Sequence, residues 1–295
     1  MVGDATQAYP DRIHSIGYLP DLMPTDATPD RDPSRYKEIR KTDGQGFTPL
    51  EPLQNWIDLF ASGVSPDHIR VLGINGGSIA GAEYQIALAL GAKVGLIAGS
   101  GREAGRILTD KAWSRSHILL NLPADAGTIQ AFATWEPPPL DGVDPETVAR
   151  AIHEEYRQER LAAPHKKDPS LADWESLHPD LRLSNQHQAH HLGAKLRAID
   201  CVCVDPGEAS EPCLEFTENE VETLAQMEHG RWLVERLLSG WRLGEERSPA
   251  KKTNPYLIGW SELPEKIKDL DRQTVRKIPQ FLETVNKQVQ RTPKR

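Results

Sequence analysis

Two glycine-bearing segments hold the residue types best suited to gripping an anion. Asn75-Gly76-Gly77-Ser78 follows the apolar run Ile69 to Ile74 and opens an Ala- and Leu-rich stretch, Ile79 to Leu90. Ser100-Gly101-Arg102 follows a second apolar run, Lys93 to Ala98, in the same way. In the order strand, loop, helix, residues without a Cβ let the backbone approach a ligand closely, and the unbonded N–H groups at a helix start favour a phosphate or another anion. Arg102 and Arg106 add guanidinium groups beside the second loop. Glu83, on the helix after the first loop, is the one carboxylate placed for acid–base chemistry. A glycine pair after a strand is equally the mark of a tight turn. Neither loop carries the G-x-G-x-x-G or G-x-x-x-x-G-K-[ST] spacing, so these residues alone leave turn and ligand contact both open.

A third cluster lies far downstream. Trp241, Arg242, Arg247, Lys251 and Lys252 combine an aromatic face with a local group of cations, a set that can stack a base and hold a phosphate. Trp232 and Trp260 read instead as core residues, and Asp271-Arg272 as a cap or bridge. His187 and His191 share a helix face at i, i+4, but no Cys, Asp or Glu set completes a metal site, so a solvated or hydrogen-bonded face is expected and no metal. No G-x-S-x-G elbow is present. Cys201, Cys203 and Cys213 are an odd number without zinc-type spacing and read as packed, inert thiols.

The elements that must position these groups fall into two halves. A chain of 295 residues that is 38% hydrophobic suits two modest cores better than one large one. A formal net charge of -8 argues against phosphate-backbone binding, so nucleic acid is not an expected partner. A small anionic ligand needs only a local cluster and stays compatible with that charge. With neither an apolar run of membrane-spanning length nor a basic segment followed by an apolar one at the N-terminus, neither a membrane span nor a secretory signal is expected, and the compartment is read as cytoplasmic. No cofactor is identified, and a homo-oligomer is left open.

From Arg12 to Trp135 short apolar runs alternate with helical periodicity, the pattern of βα units on a mostly parallel sheet. The reading places a strand at Ile13 to Leu19, an irregular loop from Pro20 to Phe47, an amphipathic helix over Pro49 to Ser62, a strand at His117 to Leu122 and a short helix over Asp125 to Thr134. Domains are expected at 1–135 and 146–292, joined by a Pro-rich linker at 136–145 containing Pro137-Pro138-Pro139. Parallel-strand ends place the two loops side by side at the carboxyl edge of the sheet.

The second half is helical and contains a repeat. IHEEYRQERL at Ile152 to Leu161 matches EHGRWLVERL at Glu228 to Leu237, with His153 paired to His229 and Tyr156 to Trp232. Trp174-Glu175-Ser176-Leu177 matches Trp260-Ser261-Glu262-Leu263, followed by Leu181 with Ile267, Asn185 with Asp271, and Leu192 with Ile278. The copies run over about 146–200 and 217–285. Between the two blocks the second copy carries Gly240 to Arg247, where the first is shortened to Ala162-Ala163-Pro164, so recognition is expected on the second copy and a supporting role for the first.

Two resemblances follow from these residues. The second copy resembles the RyR domain through His229, Trp232, Gly240-Trp241-Arg242, Gly244, Arg247, Lys252-Thr253-Asn254-Pro255, Leu257, Leu263, Lys268 and Asp271-Arg272. The first half resembles the SLOG superfamily of Rossmann-like nucleotide-binding domains through Gly76-Gly77, Glu83 and Gly91-Ala92-Lys93-Val94-Gly95. Together they imply an α/β fold, a Rossmann-like parallel-sheet domain followed by a mainly α-helical RyR tandem. They imply a non-catalytic sensor or adaptor for a nucleotide-derived small molecule or a protein partner, in anti-phage or stress signalling. The alternative is a LOG-type nucleotide or NAD N-glycosidase using Glu83, although Asn75 stands where that family has proline and the spacing to the acid is one residue longer.

Overall fold

The computed structural model describes residues 6–7, 11, 13–22, 33–113, 116–135, 139–161, 169–207, 212–213 and 215–292. The three residues 136–138 of the expected linker, and the abbreviated Ala162-Ala163-Pro164 loop, lie outside that set. The chain divides into two compact units, Met1–Asn121 and Leu122–Arg295.

In the first unit, β1 (Ile16–Pro20) pairs parallel with β2 (Glu38–Thr42) as a two-stranded sheet. A separate three-stranded sheet has the order β3 (Arg70–Gly73), β4 (Lys93–Ile97), β5 (Leu119–Leu122), with β3 and β4 parallel and Arg70 opposite Lys93. Three helices alternate with these strands: α1 (Leu50–Ala61), α2 (Ser78–Leu90) and α3 (Arg102–Thr109). The middle strand is the most enclosed. Val94 and Leu96 of β4 are fully buried with Trp56, Ala87, Ala92, Ala104 and Ile107 around them, each large aliphatic side chain worth about 2 kcal/mol of transfer free energy. Gly91 ends α2 in the left-handed conformation at φ 92° and donates to the carbonyls of Ala87 and Leu88.

The strand β2 overturns the expectation of an irregular segment from Pro20 to Phe47. Its sequence, EIRKT, has one apolar residue and charges disfavoured in strands, and side-chain partners decide the outcome. Arg40 reaches Asp58 of α1 at 2.5 Å and the Tyr18 hydroxyl at 3.2 Å, and Thr42 donates to Glu51 at 2.5 Å. Asp58 is held down to about 2 by hydrogen bonds from Tyr18 and Arg40.

The second unit is mainly helical: α4 (Ala126–Ala133), α5 (Pro145–Leu161), α6 (Pro179–His190), α7 (Leu192–Ala198), α8 (Glu218–Leu238), α9 (Glu265–Arg276) and α10 (Ile278–Glu283). Two small sheets join them. β6 (Cys201–Val204) pairs antiparallel with β9 (Gln288–Arg291), and β7 (Arg242–Leu243) pairs parallel with β8 (Thr253–Asn254). The longest helix, α8, starts with a capping box in which the Thr217 side chain and Glu220 satisfy each other's backbone N–H groups. Its apolar residues Val221, Leu224, Ala225, Met227, Leu233 and Val234 lie all round the helix rather than on one stripe, and all are buried.

The expected domain boundary is at 135. In the structure α4 packs on α8 and so groups with the second unit. The two helices touch through glycine: a Cβ added to Gly230 would lie 2.3 Å from the Gly127 carbonyl carbon, and one on Gly127 would lie 2.5 Å from the Gln226 oxygen. No helix among the described residues is long and apolar enough to cross a membrane.

Candidate functional sites

The two glycine loops of the first unit meet. The Asn75 N–H donates to the Ser100 hydroxyl at 2.9 Å, and the carbonyls of Gly76 and Asn75 accept from the Glu103 and Ala104 N–H groups at 3.3 and 3.0 Å. The first loop therefore caps the helix that the second loop opens. This corrects part of the anion-site expectation, because two N–H groups of the first turn of α3 are already used. Asn75 at φ 61°, Gly76 at 87°, Gly99 at 69°, Gly101 at 82° and Arg102 at 45° all occupy the left-handed region, free of steric cost at the three glycines and costly at Asn75 and Arg102.

The glycines do different jobs. A Cβ on Gly76 would meet Ala80 at 2.7 Å and the Tyr84 hydroxyl at 3.0 Å, so this residue is small because the fold packs against it. Gly77 has an ordinary φ of -88°, and nothing lies within 4 Å of where its Cβ would be. Neither backbone geometry nor internal packing accounts for glycine there. It sits at the N-cap of α2 and gives that helix start no side-chain cap, and Ser78 beside it is exposed. Arg102 is exposed, whereas Arg106 is committed to Glu103 at 2.7 Å.

Tyr84 stands beneath the first loop. Glu83 lines a pocket with Asn55, Trp56, Leu59, Arg70 and Tyr84, among others, between α1, β3 and α2. Burial alone pushes its pKa up.

In the second unit the excursion after α8 is an ordered ribbon. Gly240 at φ 82° donates to Leu237 and Trp241 to Arg236, ending the helix in a Schellman motif. Arg242 donates its N–H to Lys252 at 2.8 Å, and Ser248 pairs with Thr253. The Arg236 guanidinium lies 5.6 Å from the Trp241 ring centroid, its charge disfavoured by burial. Arg242 and Arg247 are exposed. Lys252 is already employed: its ammonium donates to the Ser239 carbonyl at 2.8 Å, compensating the end of α8.

Residues 213–291 match the family model for the RyR domain. The chain carries an RyR domain. No curated protein matches the chain. The RyR domain opens ahead of α8 and closes with β9, so it encloses Trp241, Arg242, Arg247 and Lys252. Its organising contact is His229, whose Nε2 donates to the Ile258 carbonyl at 2.8 Å while its ring lies 5.9 Å from Trp260. Trp260 is core at 7% exposure, flanked by Lys268 and Arg272, and its indole N–H donates to Glu222 at 2.8 Å. Arg272 also bridges Glu222 and Glu265. Trp232 is half-buried.

The same contacts recur upstream of the RyR domain. His153 Nε2 donates to the Ala172 carbonyl at 2.8 Å, its ring lies 5.8 Å from Trp174, and Arg182 flanks Trp174 as Lys268 flanks Trp260. One bond is missing: the buried Trp174 indole N–H has no partner among the described residues, and Glu146 pairs with Arg150 instead.

Sequence reasoning missed the buried ionic cluster that α8 of the RyR domain forms with Lys195. Lys195 pairs with Glu228 at 2.5 Å, and Arg231 reaches Glu228 at 2.7 Å and Glu235 at 2.6 Å, all at or below 5% exposure. The Glu228, Arg231, Glu235 spacing of one helix face was the available signal. Nearby His191, expected on a polar face, is 4% exposed with both ring nitrogens unpartnered among the described residues, and desolvation together with Lys195 lowers its pKa to about 3. The i, i+4 pair is thus no surface pair: His191 faces inward, and His187 Nδ1 lies 3.9 Å from Glu235. Cys201 and Cys213 are buried and free, with the Cys201 thiol pushed up to about 11 by burial, so neither is a ready nucleophile.

Proposed function

We propose that this protein is a non-catalytic sensor whose α/β unit, of SLOG type, binds a small phosphorylated, nucleotide-derived ligand at the joined glycine loops. One observation carries the reading: Gly77, a glycine that neither its φ nor its neighbours require, at the uncapped start of α2 beside Ser78. A side chain there would stand where an anion approaches the helix terminus. Ser100, Gly101 and Arg102 form the second wall, with Arg102 the cation still exposed. The RyR domain supplies a second recognition surface at Trp241, Arg242 and Arg247, and residues 146–200 are a second, degenerate RyR-type repeat that supports it. The recurrence of the His–carbonyl and His–Trp contacts favours that duplication, and the orphaned Trp174 N–H fits a copy relaxed from binding.

The test is a pair of substitutions. Gly77→Ala should leave the melting temperature within about 2 °C of the parent, because Ala is allowed at that φ, yet abolish stabilisation by whichever member of a panel of AMP, cyclic AMP, cyclic di-GMP, ADP-ribose and NAD raises it. Gly76→Ala should unfold the unit at lower temperature with or without nucleotide. Equal nucleotide responses of parent and Gly77→Ala would refute the loop reading, as would no response to any of the panel. Hydrolysis of any of these compounds by the parent, lost in Glu83→Gln, would replace the sensor by the N-glycosidase.

A further inference from the structure

Arg236 stands in the last turn of α8 with its side chain 15% exposed. A guanidinium presents its N–H donors in a rigid fork, yet among the described residues those of Arg236 reach no acceptor at hydrogen-bond distance; the Glu235 Oε1 atom is 3.6 Å away. Its nitrogens are not sealed in, as the Trp174 indole N–H is. The end of the helix does not call for it either. The Glu235, Arg236 and Leu237 carbonyls accept from the Ser239, Trp241 and Gly240 N–H groups, and the Ser239 carbonyl takes Lys252. Trp241 covers part of the guanidinium, its ring centroid 5.6 Å away. Arg247 is an exposed cation without a hydrogen bond or ion pair among the described residues.

Charge selects the ligand. Burial disfavours the Arg236 cation most; Glu235 and Asp180 support it, and Arg231 and Arg247 oppose it. Glu235 is spent on Arg231 at 2.6 Å and Ser184 at 2.8 Å, and together with Glu228 it balances Arg231 and Lys195. Asp180, with its side chain 81% exposed, is solvated. Two guanidiniums, Arg236 and Arg247, against that one carboxylate leave a single positive charge in surplus. A monoanion matches the surplus. A dianion meets Asp180 and Glu235, and a neutral group leaves the two arginines repelling each other. Among monoanions a carboxylate fits the guanidinium fork with two parallel bonds, and the half-buried Trp241 ring offers an aromatic body a surface to lie against. We infer that Arg236 and Arg247 clamp the carboxylate of a small aromatic acid beside Trp241. This role rests on the RyR ribbon being a recognition surface, adds Arg236 to it, and gives it a ligand class distinct from the nucleotide of the loops.

The experiment titrates the full chain with benzoate at constant ionic strength and follows the Trp241 indole N–H resonance by NMR, assigned through Trp241→Phe. Benzoate should move it saturably at concentrations below about 10 mM. Acetate, a carboxylate without a ring, and benzamide, the same ring without the charge, should each bind at least about fivefold more weakly. Arg236→Gln and Arg247→Gln should each weaken benzoate binding at least about fivefold. Arg236→Gln should also leave the melting temperature within about 2 °C of the parent or above it, because the guanidinium gives the free protein no hydrogen bond. No movement up to about 50 mM benzoate, equal binding of benzoate and either control, or unchanged affinity in Arg236→Gln would overturn the clamp. So would a melting temperature lowered by more than about 4 °C in Arg236→Gln, which would make Arg236 a part of the fold. Benzoate carries neither phosphate nor nucleoside, so failure here leaves the Gly77 reading standing. A loss of affinity in Arg247→Gln but not in Arg236→Gln would sink the clamp and keep the ribbon as a recognition surface.

Discussion

Replacing His191 by methionine should flatten the acid side of the stability profile of the helical unit. The imidazole is buried among Lys195, Glu228 and Arg231, with Arg197 also nearby, and its pKa falls to about 3 from an ordinary 6.5. A histidine whose folded pKa is depressed stays neutral in the native state while the unfolded chain takes up a proton below 6.5. Its contribution is therefore complete above that value and drains away as the pH falls towards 3. At pH 5 the unfolded state is favoured by about 1.5 pH units of proton binding, or about 2 kcal/mol. Methionine removes that term, and at pH 7.5 it should also be neutral or mildly stabilising, since two unpartnered polar atoms disappear. The Glu228 carboxylate, held near 2 by Arg231 and Lys195 against the cost of burial, loses its contribution only below the ordinary carboxylate range and leaves the pH 5 to 6.5 window to histidine. Urea unfolding followed by tryptophan fluorescence reports mainly this unit, which holds five of the seven tryptophans. From pH 7.5 to 5.0 the parent should lose about 2 kcal/mol more than the variant. Parallel profiles, differing by less than about 0.5 kcal/mol, would show that His191 is protonated or partnered in the folded state and that the reasoning fails.

Other consequences are open to measurement. Gly230→Ala forces a methyl into the Gly127 backbone and should cost about 3 kcal/mol in chemical denaturation, whereas Gly105→Ala, with nothing within 4 Å of its Cβ position at a half-buried helical site, should be neutral or stabilising by about 0.5–1 kcal/mol. Glu228→Gln leaves Lys195 and Arg231 short of a buried counter-charge and should destabilise by about 3–5 kcal/mol; a loss below about 1 kcal/mol would mean that Glu235 and solvent take over. Lys252→Met should lower stability by about 1 kcal/mol through the lost Ser239 contact, and an unchanged midpoint would return Lys252 to the list of groups available to a ligand.

Elements with strong apolar period were readable from sequence to within a few residues. Strands at Arg70–Gly73 and Lys93–Ile97 and helices at Leu50–Ala61 and Ala126–Ala133 each lie inside the expected span. What escaped was structure held by partners distant in sequence. EIRKT becomes a strand because Asp58 neutralises Arg40 and the Tyr18 hydroxyl accepts from it, and Gln288–Arg291 becomes one because Cys201–Val204 lies opposite; neither segment has a period of its own. The loops were found from their glycines, and their contact through Asn75 and Ser100 follows from parallel-strand ends. Which glycine serves packing and which stands open cannot be read from four letters, because Gly76 and Gly77 differ in backbone φ and in what surrounds them. The charged cluster was hidden for the same reason: Lys195 sits in an ordinary LGAKLRA helix, and only its neighbour across 33 residues of sequence makes it a core residue.

The pairing of Cys201–Val204 with Gln288–Arg291 has a consequence for synthesis. The segment that matches the RyR domain starts at residue 213, so β6 lies outside it, and an excised 213–291 fragment would present β9 as an open edge inviting another chain. On the ribosome the same geometry imposes a delay. Cys201 emerges 90 residues before Arg291, its partner, and until then a strand holding two of the three thiols waits uncovered. Closure is the last long-range event available to the helical unit, so a stalled or truncated translation product should be the species that chaperones and proteases meet first.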